Sequence, residues 1–112
     1  MRRGEVWRAS LPEPSGSEPG FRRPLLVISA NSFNESRIGT VVAIVLTSNL
    51  RLADAPGNVR IPVRGTGLRK PSVANVSQIV TVDKAFLTER IGKLAPRLLG
   101  EIEDGVRLVL LL

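Results

Sequence analysis

At 112 residues the chain has room for a single domain over residues 1–112 and a modest core, which an oligomer hiding a further apolar face would supplement. It contains neither Cys nor His, so disulfides, thiolate nucleophiles, zinc–thiolate sites, His-based acid/base pairs and Ser-His-Asp triads are all excluded. The formal charge of +6, carried mostly by arginine, points to a polyanionic partner held through phosphate contacts, with a plain solubility charge as the alternative.

The opening Met1-Arg-Arg-Gly-Glu-Val-Trp7 has no apolar run of signal-peptide length, and no segment approaches the roughly 20 apolar residues of a membrane span. That predicts a cytoplasmic protein. Residues 5–11 alternate, with Trp7, Ala9 and Leu11 on one face and Arg8 and Ser10 on the other, the period of a half-buried strand. Residues 12–20 are dense in Pro, Gly and Ser and read as a loop longer than an ordinary hairpin turn, hence a candidate functional loop.

Pro24–Ser29 and Thr40–Thr47 are continuous apolar runs that predict two strands buried on both faces at the centre of a sheet. The polar segment 31–39 between them is a loop or one helical turn. Asn58–Val63 alternates but carries Pro62, which demotes it to an edge strand. Gly65–Leu68 is a turn. Ser72–Val82 is a long strand with apolar residues in both phases, which predicts a bulge or strong twist within it.

Asp83 is placed to cap a short helix over 84–91, ended by Gly92. Pro96 starts a second helix in which Leu98, Leu99, Ile102, Val106, Val109 and Leu110 recur at helical spacing. Gly100 and Gly105 weaken it by about 1 kcal/mol each against Ala, so packing must hold it. The final Val-Leu-Leu-Leu asks for a docked terminus or a dimer contact. The whole reads as an α+β domain: a small, twisted, partly closed β-barrel of about five or more strands with C-terminal helices.

Three clusters can carry chemistry. In Gly16–Pro24 a loop delivers Arg22 and Arg23 onto the start of a central strand, where a guanidinium fork can pin a scissile phosphate and stabilise the charge of a pentavalent transition state. Leu46-Thr47-Ser48-Asn49 sets hydroxyls and an amide at a strand end, able to bond phosphate oxygens or a 2′-hydroxyl, or simply to make the turn. Gln78 on a buried-looking strand needs a partner, either the arginine loop or a structural network. Glu5, Arg60, Arg64, Arg69 and Lys70 are further candidates for a groove. No phosphate-cradling or dinucleotide fingerprint is present, and the acidic residues do not converge as metal or glycoside chemistry requires, so no cofactor is expected.

Taken in order, Arg3-Gly-Glu-Val-Trp7, Gly16-Ser-Glu18, Arg23-Pro-Leu-Leu-Val-Ile28, Leu46-Thr-Ser48 and Gln78-Ile-Val-Thr-Val-Asp-Lys84 resemble the MazF/PemK family of toxin endoribonucleases. The resemblance covers nearly the whole chain. It implies the barrel shared with CcdB toxins, a homodimer, and a toxin of a type II toxin–antitoxin system that arrests growth. It further implies sequence-selective, metal-independent cleavage of single-stranded RNA, messenger RNA first and ribosomal or transfer RNA besides. Attack by the 2′-hydroxyl would leave 2′,3′-cyclic phosphate and 5′-hydroxyl ends.

By position, Arg23 matches the family's catalytic arginine and Thr47 its catalytic threonine. Ser17, Glu18, Phe21, Arg22, Ser48, Asn49 and Gln78 fall on binding or support positions. The general base has no match. The stretch after Gly-Ser-Glu departs from the family's usual glycines: Pro19-Gly-Phe-Arg22 stiffens the loop, offers Phe21 for base stacking and adds Arg22 as a second cation. This either tunes the RNA sequence or obstructs the groove. Arg22 or Arg23 can occupy the phosphate site, and adjacency to Pro24 favours Arg23.

The implied inhibitor is a cognate acidic, MazE-like antitoxin whose chain competes with RNA for the basic surface. The alternatives are a catalytically inactive member, or an RNA-binding or gyrase-inhibiting module of the same fold.

Overall fold

The computed structural model describes residues 1–10 and 23–112. Six strands among them, β1 (Glu5–Ala9), β2 (Arg23–Val27), β3 (Thr40–Thr47), β4 (Val59–Ile61), β5 (Ser72–Asp83) and β6 (Leu87–Lys93), form one antiparallel sheet in the order β4-β5-β3-β2-β1-β6. The apolar runs β2 and β3 are central and the Pro-bearing segment gives the edge strand β4, as their compositions predict. The segment after β2 forms one helical turn, α1 (Asn31–Asn34), and α2 (Pro96–Leu110) closes the chain.

The strand order forces the sheet to curl. In a flat sheet β5 and β6 would stand four inter-strand steps apart, roughly 19 Å. Only residues 84–86 join them, so Asp83 and Leu87 can be no more than about 14 Å apart. The ends must therefore bend toward one another. Accordingly Val82 of β5 and Leu87 of β6 join Ala9, Leu25, Val27, Val41, Ala43 and Val45 in one apolar cluster, flanked by Trp7 and Val80. On the opposite face Val6, Leu26, Ile44, Leu46, Ile61, Val76, Leu94 and Ile102 form the other, which α2 and β4 cover.

The expected bulge lies in β5. Ile44 pairs with Ile79, yet two residues on along β3 Leu46 pairs with Ala74, so residues 75–78 bulge out of the ladder. Their polar groups are satisfied locally: the Asn75 amide donates to Gln78 Oε1 (2.9 Å), and Asn58 both donates to Asn75 Oδ1 (3.2 Å) and accepts from the Val76 N–H (3.0 Å).

The helix expected over 84–91 is absent. Asp83 does cap a turn, its side chain accepting from the Ala85 N–H at 2.8 Å, but that turn is a single 3-10 turn at Lys84–Phe86. The chain then extends as β6, paired with β1 and tied to it by Arg90–Glu5 (2.9 Å) and Arg8–Glu89 (3.1 Å) ion pairs. Pairing to an otherwise open strand edge outweighs a weak local helical preference. Gly92 is correspondingly no helix cap. A Cβ there would lie 2.1 Å from the Thr66 carbonyl oxygen, so glycine lets the loop after β4 touch β6.

Gly105 has the same reason for being glycine. Its added Cβ would lie 2.0 Å from the Gly57 carbonyl oxygen, and this close approach seats α2 on the turn before β4.

Candidate functional site

A cleft of about 560 Å³ opens at one end of the sheet, a size suited to a ligand of nucleotide scale. Register explains its composition. Arg8 pairs with Pro24 across β1 and β2, and continuing the β2–β3 register by two residues sets Arg23 opposite Thr47 and Pro24 opposite Leu46. Side chains alternate along strands, so Arg8, Pro24, Leu46 and Ser48 share one face while Arg23 and Thr47 share the other. The strand ends form the lip between the faces, and Arg23 is long enough to line the cleft from there.

The lining also takes in the segment Gly67–Lys70, Ser72 at the start of β5 and Ile91 of β6. The lining thus supplies Arg8, Arg23, Arg69 and Lys70, and no carboxylate is among its described residues. Arg8 is paired with Glu89. No ion pair to Arg23, Arg69 or Lys70 occurs among the described residues. Cations gathered in a low-dielectric hollow focus a positive potential that attracts a polyanion.

Thr47 is 8% exposed and stands behind the lining; its Oγ1 accepts the Asn49 N–H at 3.1 Å. A hydroxyl that accepts keeps its own proton to donate. Ser48 lines the cleft itself, whereas Asn49 is spent on structure, its Oδ1 accepting from the Arg51 N–H (3.2 Å) to cap the 3-10 turn Leu50–Asp54. Gln78 belongs to the bulge network with Asn75 and Asn58 rather than to the cleft lining. Ser17, Glu18, Phe21 and Arg22 lie outside the described residues, and so does Leu11 at the end of the first expected strand. Arg23, the first described residue after that stretch, lines the cleft.

Of the other groove candidates, Arg69 and Lys70 line the cleft, while Arg60 and Arg64 are exposed outside it. Glu5 is buried and internal, accepting from the Arg2 N–H (2.8 Å) and Trp7 Nε1–H (3.1 Å) and pairing with Arg90. Burial raises its pKa, but those donors and the Arg90 charge outweigh burial and hold the carboxyl below its ordinary value. Sequence reasoning passed over Arg8, whose cleft position depends on pairing with Pro24, and Ile91, hidden by the helical reading of 84–91.

Comparison with known proteins agrees with this geometry. The family model for the PemK-like, MazF-like toxin of type II toxin–antitoxin systems matches residues 2–110. The chain is 48% identical over 110 residues to the endoribonuclease MazF6 of Mycobacterium tuberculosis, covering 98% of this chain and 96% of the relative. Among solved structures it resembles an endoribonuclease in complex with its cognate antitoxin from a mycobacterial species (27% identity, TM-score 0.79, 100% and 96% covered). MazF from Deinococcus radiodurans shares the fold at 22% identity (TM-score 0.82, 100% and 97% covered).

Proposed function

The chain belongs to the PemK-like, MazF-like family of type II toxin–antitoxin toxins, and on that premise we propose that it is an endoribonuclease cutting single-stranded RNA in the cleft lined by Arg23 and the Gly67–Lys70 segment. The observation that carries the reading is the convergence of Arg23, Thr47 and Ser48 at one lip of a cleft whose charged lining, among the described residues, is cationic. That the relatives are named endoribonucleases favours the enzyme over an inactive or gyrase-binding module.

The ribose 2′-hydroxyl attacks the adjacent phosphorus. As the P–O5′ bond breaks, the 2′-proton is lost to a base and the 5′-oxygen gains one, leaving a 2′,3′-cyclic phosphate and a 5′-hydroxyl. Arg23 neutralises the charge that builds on the equatorial oxygens, where a preorganised donor has its largest effect. It also hands a proton to the leaving oxygen. Thr47 donates to a non-bridging oxygen or orients the 2′-hydroxyl, and Ser48 stands beside it. The other cleft-lining residues, and Ser17, Glu18, Phe21 and Arg22 in the sequence just before β2, hold the flanking nucleotides.

The active form is a homodimer acting in the cytoplasm, inhibiting translation and growth. An acidic antitoxin silences it by covering the cationic cleft; the mycobacterial endoribonuclease of similar fold was solved with its cognate antitoxin. No helix among the described residues is long and apolar enough to cross a membrane.

The test is incubation of wild type and Arg23→Ala with a long unstructured RNA in EDTA, with end mapping. Sequence-selective cuts bearing 5′-hydroxyl ends, lost in the variant, support the reading. Absence of cutting by wild type at any protein concentration refutes it.

A further inference from the structure

Between β4 and β5 the chain carries Arg69 and Lys70 on a segment fixed at both ends. Upstream, the Thr66 hydroxyl donates to the Pro62 and Val63 carbonyls (2.8 and 2.9 Å) and accepts the Leu68 N–H (3.3 Å). Gly67, at φ +81°, lies so close to β6 that an added Cβ would come within 2.2 Å of the Ile91 carbonyl oxygen, and Leu68 is buried in the α2-side core. Downstream, Pro71 fixes its own φ and the buried Ser72 hydroxyl donates to the Lys70 carbonyl (3.1 Å). Arg69 and Lys70 are thus two adjacent exposed cations on an anchored backbone, lining the same cleft as Arg23 and Ser48.

A rigid pair of cations with no carboxylate partner among the described residues, whose neighbouring Thr66 and Ser72 hydroxyls are bonded to backbone carbonyls, suits holding charge rather than making bonds. We propose that Arg69 and Lys70 form a phosphate-binding strap that grips the RNA backbone beside the nucleotide being cut and supplies affinity, not the chemical step. The proposal rests on the ribonuclease reading for its substrate. Its signature is uniform binding: loss of the strap raises KM and leaves kcat unchanged. Each neutralised phosphate contact also adds to the salt dependence of binding, with a slope near −0.7 per contact on single strands.

The experiment compares wild type, Arg69→Ala, Lys70→Ala, Lys70→Arg and Arg97→Ala, the last an exposed arginine at the start of α2 outside the cleft lining. Affinity is measured from 50 to 300 mM salt for an unstructured RNA with one 2′-deoxy sugar at the mapped cut, or for the unmodified RNA if wild type makes none, on the order of the salt range where such contacts are read. Steady-state cleavage is measured alongside. Expected are a roughly three- to tenfold weaker affinity for each alanine variant, a salt slope shallower by about 0.7, and KM raised at constant kcat, with the slope kept in the charge-conserving Lys70→Arg and Arg97→Ala like wild type.

Unchanged slope and KM in both alanine variants, while wild type cuts RNA, overturn the strap and leave the ribonuclease standing. A fall in kcat at constant KM also overturns it, because the pair would then act in the transition state. If wild type binds but never cuts, the slope alone decides: its loss in the variants supports a phosphate strap on a non-catalytic RNA binder. No salt-dependent binding by wild type overturns both readings.

Discussion

Glu5 is a carboxylate with two N–H donors and a guanidinium around it, buried where β1 meets β6. Its ionised form is the one those partners stabilise, so its folded pKa lies below its unfolded value. Stability from such a group is fully present above the unfolded pKa, about 4.3 for Glu, and is lost as pH falls through the depressed folded value. Glu5→Gln keeps the shape but removes the charge, and should cost roughly 1 to 3 kcal/mol at pH 7. Urea denaturation at pH 7 and pH 3 should show that gap narrowing in acid; an equal gap at both pH values would mean that the charge is not what the site uses. A different residue, Thr47, tests chemistry in place of stability. Thr47→Val retains the β-branched shape of a strand residue but loses the hydroxyl proton, so single-turnover cleavage should slow about 100-fold, the usual effect of removing one transition-state donor, with RNA affinity nearly unchanged. Equal loss in affinity would place Thr47 in binding instead.

Helix α2 contains two glycines that one propensity scale treats alike and the packing separates. A Cβ at Gly100 meets nothing within 4 Å, whereas one at Gly105 would run into the Gly57 backbone. Gly100→Ala should therefore raise stability by about 0.5 to 1 kcal/mol through helix propensity. Gly105→Ala should lower it despite the same gain, since the helix must lift off β4. Thermal melts of the two variants would check this, and stabilisation by both would remove close packing as the reason for Gly105. Such distinctions limit what could be read from the chain. Apolar runs as continuous as 24–29 and 40–47 announce buried central strands, and the Pro in 58–63 announces an edge. The sequence Asp83-Lys-Ala-Phe-Leu-Thr-Glu-Arg-Ile-Gly92 carries a real cap and passable helical spacing, yet becomes a strand, because what decides it is the open edge of β1 some 80 residues earlier in the chain. Gly92 was the available hint: inside an extended segment it marks close backbone approach, as Thr66 proves.

At the scale of the whole molecule the same contrast holds for the site. Arg23 and Thr47 were legible because each ends a strongly apolar strand, and the register of those two strands sets them opposite one another. Arg8 was not, because a polar residue on a half-buried strand says nothing of its neighbours until β1 is laid beside β2. The charge of +6 was legible as a preference for a polyanion; its focusing into a cleft without lining carboxylates among the described residues was not.

The proposed dimer bears on the other end of the molecule. Leu111 closes α2 in the left-handed conformation at φ 59°, where a residue with a Cβ costs roughly 1 kcal/mol more than glycine. It is 92% exposed, beside Leu108, Leu110 and Leu112, and Leu112 also lines a hollow of about 210 Å³ together with Ile28, Ile102, Val106, Arg3, Glu103 and Arg107. Backbone strain that displays leucine to water is explained if a second copy covers it, and an exposed leucine cluster at one helix end can bury itself against the same cluster of a second copy under a two-fold axis. Leu108→Glu with Leu111→Glu should then reduce the mass in solution from twice 12.1 kDa toward 12.1 kDa, measured by light scattering, with the far-ultraviolet dichroism unchanged. Because an associated state is favoured by mass action, the wild-type melting temperature should rise with protein concentration and that of the double variant should not. A variant that keeps the doubled mass would put the dimer interface elsewhere and leave the strained Leu111 without an account; a folded monomer that has also lost cleavage would show that the cleft works only when two chains are joined.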